Sequence, residues 1–155
     1  MIERIVDALD ASRIKLELTG RRKTEIIKEL VDVAAGDGRL SDREAVTRQV
    51  LEREQLTTTG IGGGIAIPHC LTPAVTETVM AIGRKSAGAR FDAIDKQPVK
   101  LFFLIIGPPG AHNEHLRLLS RLARYLHDPR LKQALLGAED PQAVIDAFGA
   151  REQER

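Results

Sequence analysis

The sequence predicts an α/β fold in a single domain, an α/β sandwich. Three observations predict it. The chain has 155 residues, enough for one well-buried core. Strand-like stretches are interspersed with amphipathic helical ones, and the helices concentrate at both ends. Val99 to Ile106 is apolar on both faces, the pattern of a strand buried in the middle of a sheet.

Taken in order, Ile2, Ile5, Val6 and Leu9 recur at helical spacing, and Ile14, Leu16 and Leu18 then alternate as a first strand that Thr19-Gly20 ends. Ile26, Ile27, Leu30 and Val31 mark a second helix closed by Gly36-Asp37-Gly38. Ser41-Asp42-Arg43-Glu44 has capping-box spacing and opens a third helix, which runs through Val46 and Val50 into Glu52-Arg53-Glu54. The stretch from Thr57 to Gly64 reads as a loop, and Ile65 to His69 as a short extended segment. A strand is expected from about Thr76 to Arg84, and another over Val99 to Ile106. After the Gly107-Pro108-Pro109-Gly110 loop, Leu116, Leu119, Leu122, Ala123 and Leu126 mark the longest helix. Asp128-Pro129 to Gly137 and Asp140-Pro141 to Gly149 each read as a short helix with an Asp cap, a Pro at its first position and a Gly beyond its end. Residues 1–150 therefore form the expected domain, and Arg151 to Arg155 a frayed polar tail.

Composition narrows the function. Hydrophobic residues make up 43% and charged residues 29%, which is globular rather than disordered or membrane-embedded. Lys and Arg total 23 against 22 Asp and Glu, so the net charge of +1 supplies no field that points to nucleic acid as a partner. The single cysteine, Cys70, excludes an internal disulfide framework and a Cys-rich zinc site, and suits a reducing compartment. The N-terminus lacks a secretory pattern and the longest apolar run is too short to cross a bilayer, so the expectation is a cytoplasmic protein without direct membrane insertion.

His69 is the first candidate for chemistry. Pro68 fixes its own φ and keeps Ile67 extended, so the backbone presenting the imidazole is stiff. Neutral imidazole is nucleophilic at cytoplasmic pH and accepts a phosphoryl group without a separate base. The plain structural reading is a histidine at a strand end. Gly62, Gly63 and Gly64 can expose successive backbone N–H groups to an anion, although the same composition makes an ordinary turn. Neither the P-loop pattern nor G-x-G-x-x-G aligns here, which argues against nucleotide binding.

His115 heads the long helix, where free N–H groups favour an anion; the alternative is a partly buried histidine bonded to a loop carbonyl. His112 lies one turn earlier and is able to substitute for it or pair with it. Arg53 offers a planar fork to phosphoryl oxygens, or else belongs to a solvated helix end. A zinc site from His69, Cys70, His112 and His115 is the competing metal-binding reading; no tight second ligand spacing supports it, and neither a metal nor a cofactor is expected.

These residues carry a resemblance. Leu51-Glu52-Arg53-Glu54, Thr58-Thr59-Gly60-Ile61-Gly62, Gly64-Ile65-Ala66-Ile67-Pro68-His69 and Asn113-Glu114-His115-Leu116 resemble the fructose/mannitol-type enzyme IIA domains (EIIA type 2) of the bacterial phosphoenolpyruvate phosphotransferase system (PTS) over nearly the whole chain. Phe91-Asp92-Ala93-Ile94-Asp95 with Pro98-Val99 resembles the nitrogen-related, regulatory PtsN branch. The resemblance implies a phosphocarrier, with His69 as phosphoryl acceptor and His115 and Arg53 as phosphoryl contacts. It implies a mixed β-sheet flanked by helices on both sides (an α/β/α sandwich), a phosphorylated HPr/NPr-like donor, and an EIIB or a regulatory target as acceptor. Cys70 stands where many members carry glycine.

Overall fold

The computed structural model describes residues 4–153. Two 3₁₀ turns, Ile5–Ala8 and Ala11–Arg13, precede β1 (Ile14–Lys15), α1 (Lys23–Ala34) and α2 (Arg43–Leu56). Four short or long strands follow before the sheet closes: β2 (Gly60–Gly62), β3 (Ile65–Ala66), β4 (His69–Leu71) and β5 (Val79–Ala89). Then come β6 (Val99–Gly107), α3 (His112–Tyr125), α4 (Pro129–Leu136) and α5 (Pro141–Gln153). Ile2, part of the expected first helix, lies outside the described residues.

The strands make one mixed sheet of six, ordered β1-β5-β6-β3-β2, with β4 also paired to β6. β6 runs antiparallel to β5 and parallel to both β3 and β4. The pleat of β6 explains its unbroken apolar sequence. Phe102, Leu104 and Ile106 enter one core with Ile26, Ile27, Leu30 and Val31 of α1 and Val46 and Val50 of α2. Leu101, Phe103 and Ile105 enter the other with Leu118, Leu122, Leu131, Leu135 and Phe148 from the C-terminal helices. Helices thus cover both faces of the mixed sheet, as the resemblance implies.

Several boundaries differ, each for a physical reason. β1 stops at Lys15 because the Arg84 side chain donates to the Leu16 carbonyl, although the Leu18 N–H still reaches the Arg84 carbonyl. β5 begins at Val79, since the Thr78 hydroxyl donates to Glu114, and it resumes pairing beyond an irregularity between Arg84 and Ala89. Asp42, not Ser41, caps α2 by accepting from the Ala45 N–H, while the Ser41 hydroxyl donates to the Ala74 carbonyl. Leu116, expected on the inner face of α3, is 50% exposed; Leu118 takes the buried place.

The C-terminus corrects the expectation of a frayed tail over Arg151 to Gln153, while Glu154 and Arg155 lie outside the described residues. α5 passes through Gly149 to Gln153, and the Glu152 carboxylate accepts the backbone N–H groups of Ile5 and Val6 at 2.8 and 3.0 Å. These tertiary bonds outweigh the helix-ending tendency of glycine.

Candidate functional site

The site is built where β3 leads into β4. Ile65, Ile67 and His69 alternate toward the α3 side of the sheet, while Ala66 and Cys70 point to the α1 side. His69 is half-buried and pairs in register with Ile105 of β6. Its Nδ1 lies 2.8 Å from the Ile67 carbonyl oxygen. A carbonyl only accepts, so Nδ1 carries the hydrogen and Nε2 holds the lone pair of the neutral ring. Burial pushes the His69 pKa below its ordinary value, with the bond to Ile67 opposing and the positive charge of Arg53 assisting.

His115 sits in the first turn of α3, with its ring centroid 5.3 Å from that of His69 and the two planes inclined by 56°. It is 4% exposed, and neither ring nitrogen has a hydrogen-bond partner among the described residues. Burial, and then the neighbouring His69, His112 and Arg53, push its pKa down to about 4. Gly107 at the end of β6 makes room for this ring: a Cβ there would lie 3.3 Å from His115 Nδ1 and 3.2 Å from Leu71 Cδ2. Both imidazoles are therefore neutral at pH 7, one presenting a lone pair and the other retaining an N–H donor.

Arg53 completes the group from the last turn of α2. A cavity of about 310 Å³ is lined by Arg53, Thr58, Thr59, Ile67, His69 and Ser120, among others. No ion pair or hydrogen bond engages the Arg53 guanidinium among the described residues. Larger cavities of about 650 and 600 Å³ lie under the segment after β5 and between α1 and α2, and contain no histidine.

Not every candidate converges here. Gly62, Gly63 and Gly64 all have positive φ and turn the β2–β3 hairpin, but they do not line the His69 cavity. Gly62 and Gly63 border a neighbouring depression with His127 and Lys132, and the Gly63 N–H already donates to Asp95 at 3.0 Å. His112 is exposed at the start of α3, and the residue that meets the His69 ring is His115. Cys70 is buried in the opposite core, where burial pushes its thiol up to about 12. Among the described residues, no group of three or more His, Cys, Asp or Glu side chains is placed to hold a metal. Glu54 and Thr59, quoted from sequence only within the motifs of the resemblance, were given no role there, although Val46, Val50 and Glu54 follow one another at i, i+4 and i+8 along a buried stripe.

The family model of the phosphoenolpyruvate-dependent sugar phosphotransferase system, EIIA 2, matches residues 7–150. The chain belongs to this family. The EIIA chain is 42% identical over 135 residues to the PTS system fructose-specific EIIA component of Haloferax volcanii, covering 87% of this chain and 88% of that protein. It is 35% identical over 144 residues to the nitrogen regulatory protein of Bradyrhizobium diazoefficiens, covering 93% and 94%. Against the fructose-specific EIIABC component of Bacillus subtilis, 40% identical over 143 residues, it covers 92% of itself but spans only 22% of that longer protein. The crystal structure of nitrogen regulatory protein IIA-Ntr from Neisseria meningitidis superimposes with a TM-score of 0.86 at 29% identity, over 93% of this EIIA chain and 98% of that one. The chain is accordingly an EIIA-type phosphocarrier component of the phosphotransferase system. No helix among the described residues is long and apolar enough to cross a membrane.

Proposed function

We propose that His69 accepts a phosphoryl group on Nε2 from the phosphohistidine of an HPr/NPr-like carrier and then hands it on. The observation that carries this reading is the 2.8 Å contact between His69 Nδ1 and the Ile67 carbonyl, which fixes Nε2 as the nucleophilic nitrogen. Nε2 attacks phosphorus in line, the donor's P–N bond breaks, and its electron pair stays on the donor imidazole. The Arg53 guanidinium and an N–H of His115 take up the charge spread over the equatorial oxygens. Because His115 is buried and its ring nitrogens have no hydrogen-bond partner among the described residues, its hydrogen-bonding capacity is reserved for the phosphoryl group. A cytoplasmic location accompanies this reading, in keeping with the single free cysteine.

The recipient is a regulatory target in our first reading, in which phosphorylation adds charge at the site and thereby selects the docking partner. The end-to-end match to a nitrogen regulatory protein supports it. The higher identity to a fructose-specific EIIA supports a second reading, transfer to a fructose/mannitol-type EIIB.

Incubation with phosphoenolpyruvate, enzyme I and an HPr-like carrier tests acceptance, read by intact mass and acid lability. One acid-labile phosphate is expected on the wild type and none on His69→Ala; an unlabelled wild type, or a fully labelled variant, overturns the proposal. Pull-downs with the phosphorylated and unphosphorylated forms, alongside transfer to purified EIIB, separate the two recipients.

A further inference from the structure

Glu54 is a carboxylate in a place that the helix pattern reserves for an apolar side chain. It continues the buried Val46–Val50 stripe of α2 and is only 6% exposed. Buried carboxylates persist when their lone pairs are satisfied and their charge is balanced. Its two oxygens accept the Thr59 N–H at 2.8 and 2.9 Å and the Thr59 hydroxyl at 2.6 and 3.1 Å. Lys23, from the start of α1, brings its ammonium to 3.6 Å, and the same ammonium lies 3.7 Å from Asp92 and 4.8 Å from the Phe91 ring centre.

The consequence is a tie between three segments behind the His69 cavity. α2 has no glycine at its end, and Thr57 leaves it in an extended conformation. What fixes the departing chain is Glu54 holding Thr59, aided by the Thr58 hydroxyl, which donates to the Phe91 carbonyl and accepts from the Gly60 N–H. Thr58 and Thr59 line the cavity together with Arg53, the residue preceding Glu54. On adjacent helical positions the two side chains diverge, one toward the cavity and one toward its anchor.

We infer that Glu54 is a positioning residue for phosphoryl transfer, clamping the Thr57–Thr59 strap to the end of α2 so that the strap and the Arg53 guanidinium are held in register with His69. The inference rests on the phosphocarrier reading above. Glu54 never touches the reacting atoms, and it works by limiting where Arg53 can go, since small displacements of a charge-stabilising group cost much of its effect on the transition state. Its negative charge also favours the imidazolium form of His69, opposite to Arg53.

Wild type, Glu54→Gln, Glu54→Asp and Glu54→Ala are compared with a phosphorylated HPr-like carrier as donor, alongside NMR titration of the His69 ring. Glu54→Ala removes every acceptor and is expected to melt lower, so the decisive variant is Glu54→Gln, which keeps one acceptor for Thr59. We expect Glu54→Gln to fold, to lose on the order of tenfold in the saturating rate while the donor KM stays near wild type, and to titrate His69 at lower pH. Glu54→Asp keeps the charge one methylene short of Thr59, so it restores the titration but not the rate. A folded Glu54→Gln with wild-type rate and titration, or a loss confined to donor KM, overturns the inference. An unlabelled wild type defeats the phosphocarrier reading instead, and the His69 titration with the Thr59 amide signal then decides alone whether Glu54 shapes the site.

Discussion

His69 and Cys70 are neighbours on β4, and the pleat sends them into opposite halves of the molecule. His69 faces α3, half-buried beside a second imidazole and sharing its cavity with the Arg53 guanidinium. Cys70 faces α1 and α2, among apolar side chains and with a thiol held at about 12. Burial acts on both, yet with different chemical results. For an imidazole it favours the neutral, nucleophilic form; for a thiol it suppresses the thiolate that would react. Depth alone therefore does not make a reactive residue. What matters is which protonation state the environment favours and what lies opposite.

The largest effect expected from probing that contrast is on the histidine side. In His115→Ala the phosphoryl group should still load onto His69, but onward transfer should slow by about a hundredfold, the cost of removing one donor to a developing charge. Rapid-quench transfer to a purified acceptor measures it, and an unchanged rate would return the role to His112 or remove it from both.

Protons offer a second test. The folded His115 pKa of about 4 lies below the 6.5 of the free side chain, so between those values the unfolded chain binds a proton that the folded one does not. Stability should be flat above pH 6.5 and fall as pH drops toward 4, by up to about 3 kcal/mol from this residue. Thermal melts of wild type and His115→Asn across pH 7.5 to 4.5 check the sign, since the variant should lose much of the slope; equal slopes would assign the acid sensitivity elsewhere.

The smallest effects belong to the thiol side. Cys70 should react with a disulfide reagent only as fast as the protein opens, and Cys70→Ala should cost on the order of 1 kcal/mol in packing while leaving phosphoryl acceptance at the wild-type rate. Fast modification of the folded protein, or a transfer defect in Cys70→Ala, would erase the contrast between the two faces.

Periodicity revealed much of this arrangement, and its failures are instructive. The two-sided apolar run of β6, the α1 stripe and the Asp-Pro starts of α4 and α5 were legible because each rests on local chemistry that a linear pattern records. The extent of β5, the length of α5 and the cap of α2 were not, because Glu114, Glu152 and Asp42 settle them through particular side-chain bonds. At the site, Pro68 and the position of His115 at a helix start were visible in sequence. The glycines suggested a cradle, whereas the hairpin places Gly62 and Gly63 beside Lys132 and gives the Gly63 N–H to Asp95. Glu54 was overlooked because a charge beside Glu52 and Arg53 reads as solvated, and only the i, i+4 spacing from Val50 signals otherwise.

The central strand β6 has a consequence for how the chain assembles. Its alternate side chains floor both cores, and β3, β4 and β5 all pair with it. During synthesis those three strands and both N-terminal helices emerge before it, carrying apolar surface that has no floor to rest on. Neither half can mature independently, so the helix pair α1 and α2 must wait, loosely collapsed, until the ribosome has released the chain through Gly107.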